Sequence, residues 1–308
     1  MSVWNPDRTR FIYQMRGEQP ESLVSEVRRA EELGFDAAVV PDHVGSTLAP
    51  LPMLAVAAAN TDTIRLGTMV LNNEMRNPVQ LAWDVATLDR LSGGRIELGL
   101  GAGHTPQEFA ATGIERRSAA ERKARVAEAV EIIAPLLAGD DVDFHGDHYS
   151  ITGASIAPAA QRQLPILVGG NGRALLEHAA RHADIIGLQG LGRTLADGHS
   201  HTVDWRTEHL DAQVDQIRTA AAERAVAPRL NALVQVVAVT DDSDAVLEPL
   251  LERVEGLARD DAEAIPYLLV GTVEEIVTKI ERVRTRWGIG DLVVRELDGL
   301  APVIAALR

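Results

Sequence analysis

Apolar and polar residues alternate along the chain in two rhythms. Short β-branched or apolar runs fall at residues 11–15, 37–41, 65–72, 95–102, 166–169, 185–188, 231–239 and 291–295, and they predict strands. Between them lie longer stretches with helical spacing. In residues 21–33, Leu23, Val24, Val27, Ala30 and Leu33 recur so as to share one helix face. Asn77 before Pro78 reads as an N-cap followed by a first-turn proline. Ser118 with Glu121, and Thr272 with Glu275, read as capping boxes; they open helices running to about residue 137 and across 276–287. A strand–helix unit repeated eight times calls for a parallel sheet with crossover helices. Eight units in 308 residues favour a closed (β/α)8 TIM barrel over an open doubly wound sheet. No internal repeat or low-complexity linker divides the chain, so residues 1–308 are read as a single domain. Three stretches exceed ordinary connections: 139–164, 190–204 and 240–264, the last long enough for a helix. On such barrels long loops at the C-terminal face cover the active site.

Composition narrows the function. Hydrophobic residues make up 46%, enough for a sizeable core. No apolar run reaches bilayer-spanning length, and residues 1–10 are polar, so a cytoplasmic location without membrane association is the expectation. The absence of cysteine excludes disulfides, thiolate metal sites and cysteine nucleophiles within this chain. A net charge of −15 speaks against a nucleic-acid partner, and 4% aromatic content offers no base-stacking platform. An anionic ligand must therefore be held by local dipoles and a few cations. Only Lys123 and Lys279 among the 30 basic residues are lysines; with the many Ala, Gly and Val, this is the composition of a high-GC genome.

In a barrel, chemistry sits just past the strand ends. After the second strand come Asp42 and His43, read either as a carboxylate that orients a proton-transferring imidazole or as a turn cap beside a solvated ring. The third strand ends in Asn72 and Asn73, amides for a ligand or for a turn. The fourth ends in Gly99, Gly101, Ala102, Gly103 and His104, with Glu108 close behind. The spacing does not fit a dinucleotide fingerprint, and the glycines are read as letting a flat ring approach the backbone. After the fifth strand, Gly169, Gly170, Asn171 and Gly172 open a helix. Bare amides there, reinforced by the helix dipole, make a phosphate site; the alternative is a flexible turn. Gly187, Leu188 and Gln189 after the sixth strand could complete the same cradle. His145 and His148, and His199, His201 and His209, lack catalytic metal-site spacing and are read as solvated loop residues; His178 and His182 fall at i and i+4 on a helix and are read as surface, so no metal is expected. No nucleophile-elbow motif is present.

The run from Leu88 through Ser92-Gly93-Gly94-Arg95 to Gly103 resembles the signature of luciferase-like flavin- and deazaflavin-dependent oxidoreductases. So do Glu31-Glu32-Leu33-Gly34-Phe35-Asp36 before Asp42-His43, Leu66-Gly67-Thr68, and Pro165-Ile166-Leu167-Val168-Gly169-Gly170. The resemblance implies His43, with Asp42, near the reactive ring, and a non-prolyl cis peptide at Met69–Val70 forming a bulge behind it. It places Gly101, Ala102 and Gly103 along the ring or its side chain, Glu108 near the substrate, and Gly169, Gly170 and Asn171 on the ribityl phosphate. It also implies a homodimer. The scarcity of lysine departs from sugar-phosphate dehydrogenase relatives, which use lysines on the substrate's phosphate.

The leading expectation is hydride transfer between the deazaflavin F420 and a small organic substrate, with His43 and Glu108 as proton-transfer candidates. The alternatives are an FMN-dependent monooxygenase on the same barrel and a non-catalytic flavin-binding barrel. Arg173 and Arg193 are candidates for the cofactor's acidic tail.

Overall fold

The computed structural model describes residues 8–195 and 201–308. In chain order the first half runs β1 (Arg10–Gln14), α1 (Pro20–Glu32), β2 (Ala37–Val40), α2 (Pro50–Ala59), β3 (Arg65–Thr68), β4 (Leu71–Asn72), α3 (Pro78–Leu91), β5 (Ile96–Gly101), α4 (Pro106–Thr112), α5 (Ala119–Ala138), β6 (Val142–His145) and β7 (Ser150–Ala154). The second half runs β8 (Ile166–Gly169), α6 (Arg173–His182), β9 (Ile185–Leu188), β10 (Leu191–Thr194), β11 (His201–Val203), α7 (Thr207–Ala220), β12 (Arg229–Leu233), β13 (Val236–Val239), α8 (Asp244–Arg253), α9 (Arg259–Ala264), β14 (Leu268–Gly271), α10 (Val273–Trp287), β15 (Ile289–Val294) and α11 (Ala301–Ala306).

The expected barrel forms. The large sheet runs β3-β2-β1-β15-β12-β9-β8-β5-β4, and β3 also pairs with β5, which closes the ring. Its pairings are all parallel. All strand C-termini therefore share one rim. Helices pack their apolar stripes on the outside; α10 buries Ile276, Ile280, Val283 and Trp287 at helical spacing.

The caps behave as their chemistry dictates. Asn77 accepts from the amides of Val79 and Gln80, and Thr272 with Glu275 makes a complete capping box. The box expected at Ser118 is only half made: Ser118 accepts from the Glu121 amide, but the Glu121 carboxylate turns to Arg117.

Side chains alternate in and out along each strand, so the barrel interior is layered. At the floor, Arg10 joins Glu97 and Asp291, Arg65 joins Glu97, and Arg229 joins Asp291. Two residues further along the strands, Ile12, Leu233 and Val293 form an apolar layer with Ala37, Val39, Met69 and Val70. Two further still, Arg295 donates to Gln14, whose amide donates to the Met69 carbonyl.

Burial favours the neutral form of Glu97, but Arg10 and Arg65 more than offset this and hold its carboxyl below the usual range. Because the folded value is depressed, this stabilisation is present at neutral pH and is lost as the pH falls through it. Glu97→Gln should therefore cost about 3 kcal/mol, because the buried Arg10 and the half-buried Arg65 lose a shared counter-charge. Urea unfolding at pH 7 measures it; a loss under about 1 kcal/mol would show the network to be dispensable.

Several connections differ from expectation. The run 65–72 is two strands, broken at a cis peptide between Met69 and Val70. The run 231–239 also divides: β12 stays in the barrel, while β13 leaves it and pairs in parallel with β14. Stretch 139–164 holds the hairpin β6–β7 and follows a helix, so it springs from the N-terminal end of the barrel, not the C-terminal face. Its Tyr149 hydroxyl reaches Asn73 beyond β4. Stretch 190–204 holds the hairpin β10–β11 and follows barrel strand β9; 240–264 holds α8 and α9 between β13 and β14, in the excursion that leaves the C-terminal end of barrel strand β12.

Candidate active site

The rim brings His43, beyond β2, to Glu108 on α4. His43 Nδ1 lies 2.8 Å from Glu108 Oε1. Glu108 is 9% exposed and His43 38%, so the carboxylate is walled in while the ring reaches solvent. A carboxylate at Nδ1 fixes a proton there and leaves Nε2 as the free acceptor of the neutral ring. The dyad can then take or give one proton at Nε2.

The sequence reading paired Asp42 with His43; the structure does not. Both Asp42 oxygens bind Arg76, and one also accepts from the Asn72 amide. Asp42 thus ties the end of β2 to β4, and its influence on the site runs through the backbone. His104 stands between His43 and His201, with ring centroids at 5.6 and 4.9 Å. His201, read as a solvated loop residue, is instead brought to this cluster by the β10–β11 hairpin. His199 and the side chain of Arg193 lie outside the described residues.

The glycines expected to admit a flat ring face the chain's own side chains. A Cβ on Gly101 would lie 2.5 Å from Val70 Cγ2, and one on Gly169 2.9 Å from Val70 Cγ1. At Gly103, φ is +66° and a Cβ would strike the Asn72 side chain at 2.3 Å. These glycines let Val70 and Asn72 sit against β5 and β8. Arg122 on α5 donates to the carbonyls of Ala102 and Gly103 and fixes that loop. The Asn72 side chain accepts from the Glu74 amide, but its buried Nδ2 has no partner.

The fifth-strand turn leads into α6, whose N-cap, Gly172, offers no side-chain cap. Gly170 and Gly172 have φ of +153° and +105°, conformations that side chains disfavour. A Cβ on Gly172 would lie 2.7 Å from Lys123 Nζ. Burial, then Arg122, lowers the Lys123 amine, and no carboxylate among the described residues pairs with it. A partly buried, uncompensated cation beside uncapped amides has the chemistry to hold an anion. Gln189 leans over it, with Nε2 3.8 Å from the Gly169 Cβ position. Gly187 lets β9 approach Gly169 Cα, whereas Leu188 is 1% exposed and packs in the helix layer, leaving only its backbone for the cradle. Asn171 lies in the same turn. Arg173 is exposed and paired with Glu177.

Sequence reasoning missed Lys123, Arg76, Gln14 and Arg295. Lys123 left one trace, as one of two lysines in an arginine-rich chain.

The profile of the family described as luciferase-like monooxygenase matches residues 6–267. The chain belongs to that family. Among curated luciferase-like relatives, the F420-dependent glucose-6-phosphate dehydrogenase of Amycolatopsis mediterranei is 34% identical over 182 residues, 56% of this chain and 55% of the relative. The enzyme of the same description from Nocardia farcinica is 38% identical over 175 residues, 54% of this chain and 52% of the relative. The chain thus spans about half the length of the curated relatives it matches. The fold is that of an F420-dependent secondary alcohol dehydrogenase bound to an F420–acetone adduct (TM-score 0.76, 21% identity, 98% of this chain and 99% of that one). It is equally that of a monooxygenase from Streptomyces bottropensis (TM-score 0.74, 23% identity, 96% of both chains).

Proposed function

We propose that this luciferase-like barrel is an oxidoreductase that binds the deazaflavin F420 at its C-terminal rim and exchanges a hydride between it and a small organic substrate. The observation that carries the reading is Lys123: a desolvated amine without a carboxylate, beside the bare amides of Gly170, Asn171 and Gly172, fits the cofactor's phosphate. The unpartnered Nδ2 of Asn72 and the cis Met69–Val70 bulge border the same rim. The names of the curated relatives support the choice of F420.

When bound, the deazaflavin supplies the hydride-carrying ring. The chain supplies the rest. Lys123 and the cradle amides hold the phosphate. Arg295 and Gln14 hold the Met69 carbonyl, and so keep the Val70 wall in place. His43 Nε2 exchanges the proton that accompanies oxidation or reduction of the substrate, and Glu108 steadies the ring while it is charged. Neither lysine is available to a substrate phosphate: Lys123 serves the cradle, and buried Lys279 donates to the Ala262 carbonyl. A substrate other than a sugar phosphate is the reading this supports.

Binding titrations with F420 and with FMN test the assignment. Binding of F420 at least about tenfold tighter than FMN is expected; the reverse order would favour the monooxygenase alternative, which the family description keeps in view. Lys123→Met should weaken F420 at least about tenfold, the worth of one charge-assisted hydrogen bond. Unchanged affinity would remove the cradle from the argument.

A homodimer is proposed as well. Helix α2 is almost wholly apolar, with Val56 43% exposed, and neighbouring α3 exposes Trp83 at 61% and Leu91 at 75%. Trp83→Arg should convert a dimer to monomers by light scattering; a variant of unchanged mass would place the interface elsewhere.

A further inference from the structure

Away from the rim, helices α5 and α6 bring together three side chains that hydride transfer does not use. Glu131 lies on α5; His178 and His182 lie one turn apart on α6. The two imidazoles are stacked, with centroids 4.4 Å apart and planes 22° from parallel. His178 Nε2 is shielded from solvent and has no hydrogen-bond partner, and it lies 3.8 Å from Glu131 Oε1. The backbone of Ala127 lies close to the same ring. One donor atom from each of the three residues lies within 4.8 Å of the other two.

A buried ring nitrogen with no hydrogen-bond partner is unsatisfied as it stands. Two imidazoles and a carboxylate suit a divalent transition metal: bonds of roughly 2.0–2.2 Å in a tetrahedral shell put donors about 3.3 Å apart. The exposed Glu131 and His182 side chains are free to turn, and His182 must swing out of its stack on His178 for both ring planes to meet at one ion. Their exposure leaves the remaining coordination positions to water.

We propose that Glu131, His178 and His182 form a binding site for a divalent transition metal ion such as Zn2+ that fastens α5 to α6 on the outside of the barrel. Both helices also serve the anion cradle: α5 carries Lys123 and α6 begins beside Gly172. The site is a staple between them, remote from the His43–Glu108 dyad, and it stands whether or not the chain binds F420.

The test is calorimetric titration of the full chain with zinc chloride in a non-chelating buffer at neutral pH, paired with thermal melts. One Zn2+ per chain and a melting temperature that rises with zinc are expected. His182→Ala, at an exposed position, should weaken binding at least about tenfold and abolish the rise, since even outer-shell partners are worth about that much. His178→Ala should do the same, and Glu131→Gln should weaken binding several-fold. Absence of stoichiometric zinc binding overturns the proposal. So does binding that His182→Ala leaves intact, which would place the zinc on other histidines, or binding indifferent to Glu131→Gln, which would leave no bridge between the helices.

Discussion

Replacing His43 with alanine should lower turnover by about two to four orders of magnitude, the usual worth of a positioned proton-transfer group. Affinity for F420 should change by less than about tenfold, because the proposed phosphate site, Lys123 and the cradle amides, lies apart from the dyad. Glu108→Gln should have a smaller effect in the same direction. It keeps the shape but removes the charge 2.8 Å from Nδ1, so the ring loses the acceptor that fixes its tautomer. The measurement is steady-state oxidation of reduced F420 with whichever ketone, imine or activated alkene a screen identifies, beside a binding titration for each variant. If His43→Ala falls less than about tenfold in turnover, the imidazole is not a proton-transfer group. If no member of the screen turns over while F420 binds, the non-catalytic alternative gains ground.

Gly99→Ala is expected to abolish stable folding, or to cost at least about 4 kcal/mol. The added Cβ would lie 2.0 Å from the Thr68 carbonyl oxygen and 3.3 Å from Val70 Cγ1. The obstacle is backbone, and it is pinned: Thr68 Oγ1 bonds both the amide and the carbonyl of Gly99. A flexible side chain could swing aside, but this strand pair must separate. Gly299→Ala provides the control, since its Cβ would meet nothing within 4 Å. Soluble yield and thermal melts of the two variants decide the matter. A Gly99→Ala protein melting within a few degrees of wild type would show that β3 and β5 yield far more easily than their bonding indicates.

The barrel was legible because its signal is local and repeated: each apolar run and amphipathic stretch declares itself within a dozen residues. Features that depend on distant partners were not. Residues 231–239 read as one strand, and the lone interior polar residue, Gln235, does not by itself mark Val236 as the point where the chain turns out to meet β14. The hairpins β6–β7 and β10–β11 are short and mixed in polarity, so they read as loops. At the site, adjacency misled. Neighbours at an extended strand end point to opposite sides. Asp42 therefore turns to Arg76, while His43 finds its carboxylate 65 residues away on α4. The cis peptide at Met69–Val70 came from the family resemblance; periodicity alone reads straight through it. The glycines were correctly singled out, but the bulk they accommodate is internal, a valine and an asparagine that no local pattern connects to them.

The charged floor has a consequence for biosynthesis. Arg10 and Asp291, 281 positions apart, are bonded there, and β1 lies beside β15. A nascent chain can stack its early βα units as they emerge, yet the Arg10 guanidinium stays short of one carboxylate until the residues through β15 have left the ribosome. Sealing of the cylinder is thus a late, long-range event. Until then the exposed edges of β1 and β12 are open to intruding strands, so translation stalled just short of Asp291 would be the moment when this protein most needs a chaperone.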